Sequence, residues 1–320
     1  MKAVVYEKNG SQVPFVFREV EKPVPNDDEV LIQIHATSLN AADYRLFRMG
    51  LGIPKSKIFG SDIAGTVEAV GKNIRTFQPG DNVAADMGGY GFGGLAEYAV
   101  APGEIAALIP DEVSFEKAAA VPMSAITALQ ALRDKGSIRQ GQKVLINGAS
   151  GGVGTYAVQL AKYFGAEVTA VCSAKNMDLV RSLGADHVID YAREDFTKSG
   201  IRYDLIVAVN GYHPLLAYKR ALKSEGTYVM VGGTFPQIFK SLIFGPLMSV
   251  GKRKIRSLSA KGNAKDLAFI LDLVKSGNIN PVIDRRYPLQ QAGEAFLYIE
   301  KGHAGGKVVI NVIEGSGDGT

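Results

Sequence analysis

The sequence predicts an α/β fold in two parts, a doubly wound parallel sheet and a second, mainly β domain. Three observations predict it. Between Lys143 and Ser173 an apolar run, a glycine turn, a helical stretch and another apolar run follow one another within about 30 residues, the layout of a βαβ unit. Beyond that unit, apolar runs keep alternating with helical segments, whereas before residue 120 short apolar runs alternate with turns alone. At 320 residues the chain exceeds the usual single-domain size, so two domains with a cleft between them are expected.

In the first part the expected strands are Ala3–Tyr6, Phe15–Val20, Glu29–Ala36, Gly65–Val70, Asn82–Ala85 and Leu95–Ala99, in a mostly antiparallel arrangement. Pro23, Pro25, Pro79-Gly80 and the glycines from Gly88 to Gly94 punctuate them as loops. After Pro110 the pattern changes: Ser114-x-x-Lys117 opens an alanine-rich run, and a helix is expected from about Ser124 to Leu132, at the crossing into the next domain. Strands are then expected at Val144–Ile146, Val168–Val171, His187–Ile189, Asp204–Val209, Thr227–Val231 and Ile255–Ser259, with helices between them. An amphipathic helix from Lys265, a last helix Ala292–Glu300 and a strand Lys307–Ile313 return to the first domain. The predicted division is 1–122, 123–262 and 263–320.

Composition excludes several classes of function. A net charge of +4, from 36 basic and 32 acidic residues, is too mild to imply a nucleic-acid partner. One cysteine, Cys172, rules out an intramolecular disulfide framework and a cysteine-rich metal lobe, and its place at the end of an apolar strand suits a small buried residue. The N-terminus, Met1-Lys2-Ala3-Val4-Val5-Tyr6, reads as a strand too short for a signal segment, so a cytoplasmic location is expected. The tail from Glu314 to Thr320 is polar and is expected to fray.

The chemistry is concentrated in the glycine turn. Val144-Leu145-Ile146 leads into Asn147-Gly148-Ala149-Ser150-Gly151-Gly152-Val153-Gly154 and then a helix, Tyr156 to Phe164. In a strand–turn–helix setting such glycines let a pyrophosphate lie against backbone N–H groups at the positive end of a helix, which points to a dinucleotide. About 20 residues further on, an NAD-binding chain would carry an acidic residue for the ribose hydroxyl. Here that place holds Cys172, Ser173, Ala174 and Lys175. A hydroxyl followed by an ammonium suits the 2′-phosphate of NADPH, although Lys175 also reads as a solvated lysine opening the next helix. Gly232-Gly233-Thr234 ends the fifth strand of the sheet at its carboxyl edge, where ligands bind in open α/β sheets.

With these residues in view, the whole chain, essentially 1–313, resembles the medium-chain dehydrogenase/reductase superfamily. The specific likeness is to its zinc-free, NADPH-dependent quinone oxidoreductases, the zeta-crystallin-like branch. Four motifs carry the likeness: Ser38 to Tyr44, Gly60 to Gly65, Asn147 to Gly154 and Ser182 to Tyr191. The resemblance implies a GroES-like catalytic domain beside a Rossmann domain. It also implies that Gly151, Gly152, Val153 and Gly154 hold the pyrophosphate, that Ser173, Lys175 and Tyr191 hold the 2′-phosphate, and that Ser150 is cofactor-binding. By the same resemblance Asn40, Thr127, Asn210, Gly232 and Gly233 lie near the ribose and nicotinamide. Zinc enzymes of the superfamily have cysteine, histidine and glutamate where Asn40, Ser61 and Asp62 stand, so no metal site is expected. The histidines His35, His187, His213 and His303 lack ligand spacing, and His35 reads as a structural histidine in a strand.

The expected activity is hydride transfer from NADPH to a conjugated acceptor, a quinone or an α,β-unsaturated carbonyl, since ionising an alcohol is hard without a Lewis acid. Tyr44 is the candidate proton donor, with a purely packing role as the alternative. An enoyl thioester reductase and an NADPH-binding interaction protein with little turnover are the other readings. For 235–258, where Ile238, Phe239, Leu242 and Ile243 precede Lys252-Arg253-Lys254, a place near the substrate mouth of a homodimer is preferred to rest on a membrane surface.

Overall fold

The computed structural model describes residues 1–7, 14–48, 53–233, 249, 252–302 and 304–313. The chain divides into one compact unit, Met1–Ile126 with Lys261–Thr320, and another, Thr127–Ala260.

The first unit is built on a long strand. Residues Glu29–Leu39 form β3, after β1 (Lys2–Tyr6) and β2 (Phe15–Glu19) have paired antiparallel to each other. Val30, Leu31, Ile32, Ile34, Ala36 and Leu39 of β3 are buried, a fit to its β-branched and aliphatic composition. Next come α1 (Ala41–Arg48), β4 (Asp62–Val70), β5 (Asn82–Asp86), β6 (Tyr98–Pro102) and β7 (Ala106–Leu108). The first half of β3 pairs with β6 and its second half with β15 (Lys307–Asn311), while β4 runs along almost its whole length. Two register shifts in the β3–β4 ladder let so long a pair coil. Helix α2 (Phe115–Ala120), capped by Ser114 Oγ accepting from the Lys117 N–H, belongs to this unit.

The other unit is an all-parallel sheet. Helix α3 (Pro122–Gln130), whose residues up to Ile126 belong to the first unit, runs on into a π-turn (Ala131–Lys135), and six strands follow: β8 (Lys143–Asn147), β9 (Glu167–Cys172), β10 (His187–Asp190), β11 (Tyr203–Ala208), β12 (Leu222–Met230) and β13 (Lys254–Ser257). Their order is β10-β9-β8-β11-β12-β13. Val144, Leu145 and Ile146 are wholly buried, as a central parallel strand covered on both faces demands. Helices α4 (Gly152–Tyr163), α5 (Met177–Ser182) and α6 (Leu215–Ala221) complete the crossovers among the described residues. The doubly wound α/β class is as expected.

Four details differ from the sequence reading. The run Leu95–Ala99 is not the sixth strand, which lies three residues later. Leu95 and Ala96 are buried instead beside β1, where the Leu95 carbonyl accepts from Val4 N–H and Ala96 bridges Ala3, so apolar character there reflects core contact and not a ladder. Strand β12 starts at Leu222, five residues before Thr227, through the polar stretch Lys223–Gly226. Strand β3 reaches Leu39 because β4 and β15 flank its last residues. Strand β14 (Ile283–Pro288) has no apolar alternation to reveal it: Asp284, Arg285 and Arg286 are exposed, and pairing with β15 holds it. The stretch 234–248, His303 and the tail 314–320 fall outside the described residues. Among the described residues no helix is long and apolar enough to cross a membrane.

Candidate functional site

In the parallel sheet the chain runs from β8 outward to β9 and β10, then returns to the other side of β8 for β11. That reversal is the switch point at which open α/β sheets hold their ligands. The glycine turn lies there. Gly148, with φ 90°, is in the left-handed region, its N–H and that of Ala149 donate to the Val171 carbonyl, and a Cβ on it would press against Asn210. Gly154 is required for contact: a Cβ there would run into the Gly148 carbonyl oxygen, so only glycine lets α4 start this close to the turn. Gly151 caps α4, and a side chain there would meet almost nothing, which leaves open space over the first N–H groups of the helix. Asn210 follows β11 with its N–H on the Asn147 carbonyl; Gly232 follows β12, and its carbonyl accepts from the Gly211 N–H. Gly233 makes a parallel bridge to Gly211. The carboxyl ends of β8, β11 and β12 thus present backbone and small side chains, as a close-lying dinucleotide requires.

A polar edge adjoins the turn at the ends of β9 and β10. Ser173 begins the 3₁₀ turn Ala174–Asn176, on which Lys175 stands exposed. The Tyr191 N–H donates to the Cys172 carbonyl, which brings that half-exposed tyrosine beside Ser173. Asn176 joins this edge to the glycine turn: its Nδ2 donates to Ser150 Oγ at 2.9 Å and to Ser173 Oγ at 3.3 Å. The carboxylate of Asp190 is turned to its own loop, accepting from the Ala192 N–H. Cys172 is buried, and burial with Asp190 nearby pushes its thiol up to about 11, so it stays protonated and unreactive.

In the first unit the register lines up a row of buried polar residues. Val308 pairs with Leu39, so Lys307 opens β15 beside Asn40, while Asp62 faces Ser38 on one side and Asp86 on the other. The Lys307 ammonium, 2% exposed, donates to Asn40 Oδ1 at 2.5 Å, Asp62 Oδ2 at 3.0 Å and Ser124 Oγ at 3.2 Å. Asn40 Nδ2 donates to Asp62 Oδ2 and Ser61 Oγ, the Ser61 hydroxyl donates to Asp43, and the Asn40 N–H also donates to Asp43. Asp62 Oδ1 accepts from the Met123 N–H. Burial first, and the Asp62 charge as a further cause, push the carboxyls of Asp43 and Asp86 up to about 7. Lys307 contacts Asp62 of the three carboxylates, and the other two lie on the neutral side of their balance at lower pH.

The predicted residues therefore fall in separate places. Ser150, Gly151, Gly152, Val153, Gly154, Ser173, Lys175, Tyr191, Asn210, Gly232 and Gly233 gather along the carboxyl edge of the parallel sheet. Thr127 stands half-buried on α3. Asn40 lies in the polar row of the first unit, with both amide hydrogens and its carbonyl already engaged. The Tyr44 ring packs against the apolar cluster that contains Leu39, Ile58, Phe59 and Phe296. His35 accords with its structural reading, stacked on Phe115 with centroids 4.0 Å apart and bonded to Thr66. Sequence reasoning missed Asn176 and Lys307. The only signal for Lys307 was a cation opening an otherwise apolar strand, Lys307-Val308-Val309-Ile310, and nothing local marked Asn176.

The residues present do not fit zinc. Amide and hydroxyl oxygens are poor zinc ligands, the ammonium of Lys307 sits where Asn40, Asp62 and Ser124 converge, and no group of three metal-ligating side chains occurs among the described residues. They do fit a dinucleotide, for the glycine approach and the open helix terminus given above.

A parallel sheet with its glycine turn at the switch point, joined in one chain to a mainly antiparallel unit, defines a dinucleotide-binding protein of two units. Two family models match: an alcohol dehydrogenase GroES-like domain over residues 26–111 and a zinc-binding dehydrogenase over 183–310. Of the polar row, the second match includes only Lys307. The chain is 36% identical to a chloroplast envelope quinone oxidoreductase homolog of Arabidopsis thaliana, over 91% of this chain and 92% of that protein. It is 31% identical to the chloroplastic NADPH-dependent alkenal/one oxidoreductase of the same plant, over 97% and 79%. Among solved structures, the quinone oxidoreductase from Coxiella burnetii matches with a TM-score of 0.87 at 27% identity, over 98% of this chain and 99% of that one. The chain belongs to the medium-chain dehydrogenase/reductase superfamily, in its quinone oxidoreductase branch.

Proposed function

We propose that this chain reduces a conjugated acceptor, a quinone or an α,β-unsaturated carbonyl, with NADPH and without zinc. The observation that carries the reading is Lys307. A buried ammonium fills the point where Asn40, Asp62 and Ser124 converge, so those residues have no vacancy for a Lewis acid. Oxidising an alcohol then lacks the means to stabilise an alkoxide, whereas a conjugated carbonyl is already electrophilic. Bound NADPH supplies a hydride from C4 of its nicotinamide. The acceptor gains that hydride and one proton, yielding a hydroquinone or a saturated carbonyl. The names of the Arabidopsis relatives support both substrate classes.

What the chain's own residues do follows from their placement. The open N–H groups at the start of α4 bind the pyrophosphate. Ser173, Lys175 and Tyr191 receive the 2′-phosphate, supported by the absence of any acidic residue from Cys172 to Lys175. Tyr44 or water supplies the proton, and a Tyr44→Phe change that leaves the rate intact would assign it to water. Strand β13, at the edge of the parallel sheet, supports a homodimer built by sheet extension, which light scattering at micromolar concentration checks.

The deciding experiment follows NADPH absorbance on adding a small quinone or enone, with and without a chelator. Turnover that survives chelation is expected. Cofactor binding without absorbance loss across quinones, enones and enoyl thioesters would mark an interaction protein instead. Loss of activity to the chelator with recovery on adding zinc would overturn the metal-free reading.

A further inference from the structure

We propose that Asn176 is the positioning residue that makes this site select a 2′-phosphate, because it fixes the hydroxyls of Ser150 and Ser173 as donors toward the cofactor. The inference rests on the reading of this edge as the cofactor's phosphate site and adds the residue that enforces it. Ser150 belongs to the glycine turn after β8, Ser173 follows β9, and Asn176 closes the 3₁₀ turn that begins after Ser173. The Asn176 backbone N–H donates to the Ser173 carbonyl at 2.9 Å, which holds the side chain over both serines. Its Nδ2 lies 2.9 Å from Ser150 Oγ and 3.3 Å from Ser173 Oγ.

A primary amide nitrogen can only donate, and a hydroxyl carries one proton. Each serine oxygen therefore accepts from Asn176, and each serine proton must go to something else. Among the described residues neither hydroxyl donates to another group. Two O–H donors are thus preset at the edge between the ends of β8 and β9, with the Lys175 ammonium on the same short turn. A ligand that meets them must accept without donating. A phosphate offers three such oxygens, and hydrogen bonds to it are charge-assisted. A ribose 2′-hydroxyl has a proton of its own to place, and an NAD-binding chain answers it with a carboxylate, an acceptor. Asn176 denies the serines that accepting role. The discrimination therefore lies in the polarity of a side chain one shell behind the ligand.

The test is equilibrium binding and steady-state kinetics with NADPH and NADH for the wild type, Asn176→Leu and Ser150→Ala/Ser173→Ala, and for the last combined with Asn176→Leu. Leucine keeps the size and lets the serine protons turn away. The apparent KM and Kd for NADPH should rise ~10-fold, the worth of about one charge-assisted hydrogen bond, while NADH values and kcat stay in place. In the serine-free background the same change should alter NADPH affinity by less than about 2-fold, since the residue would have nothing left to orient. Asn176→Asp, which accepts both serine protons, is the second variant should leucine fold poorly. It should weaken NADPH ~100-fold by adding a like charge to the lost bonds and leave NADH nearly unchanged. Equal losses for the two cofactors, or a leucine effect undiminished without the serines, would overturn the inference while the phosphate reading stands. A wild type that binds NADH as tightly as NADPH would overturn both.

Discussion

Replacing Lys307 by Met retains an unbranched side chain of similar reach and removes the one ammonium that reaches Asn40, Asp62 and Ser124 together. Asp62 would keep its bonds from Ser38 Oγ, Asn40 Nδ2 and the Met123 N–H, but its charge would stand uncompensated in a wholly buried position. Removing one partner of a buried, hydrogen-bonded ion pair costs ~3–5 kcal/mol. For a unit of this size that is a fall in melting temperature on the order of 10 °C. The loss has a pH signature. The Lys307 charge also holds down the carboxyls of Asp43 and Asp86, which burial raises to about 7, so without it both would keep their protons to higher pH in the folded variant. A folded state that binds more protons than the unfolded one loses stability as pH rises, so the variant should be hurt more at pH 8 than at pH 5. Urea titration followed by far-UV circular dichroism at both pH values measures this, and Lys307→Met/Asp62→Asn should recover part of the loss by removing the orphaned charge. A cost below about 1 kcal/mol at pH 8, or the same cost at both pH values, would refute the view that Lys307 neutralises this row.

Three further outcomes are expected. Gly154→Ala drives a methyl into the Gly148 carbonyl and forces α4 off the turn, so cofactor affinity should fall at least ~10-fold, with ~1–3 kcal/mol of stability, in a binding titration and a melt. Lys175→Ala should weaken NADPH by ~10-fold or more and NADH hardly at all, because a phosphate contact is charge-assisted; fluorescence titration with both cofactors would expose equal losses. Asp43→Asn removes a carboxyl whose folded pKa is raised from 3.8 to about 7. The penalty of ionising it is absent below pH ~4, grows by about 1.4 kcal/mol per unit through that window and is complete above ~7. The variant should therefore gain on the wild type as pH rises from 4 to 8, and a flat difference would count against the buried-carboxyl account.

The sequence by itself determined whatever is encoded within one strand, turn or helix. The glycine turn was legible because Gly148 and Gly154 are required by backbone conformation and close approach over a few residues, and the buried strands β8, β9 and β11 were legible as unbroken apolar runs. Ser173 and Lys175 could be singled out because the acidic residue of an NAD-binding chain is expected at a fixed distance along one βαβ unit, and they stand there instead. Strand β14 was hidden because partner pairing, and not its own alternation, makes it a strand. The tertiary structure alone decided the polar row. Lys307 lies 267 positions from Asn40 and 245 from Asp62, and only the β15–β3–β4 register makes them neighbours. The same holds for the link between Ser150 and Asn176, 26 positions apart on two different turns. A side chain's hydrogen-bonding partners are set by strand order and register, which depend on the whole sheet closing, so the lysine that opens an apolar strand becomes the buried cation of the polar row.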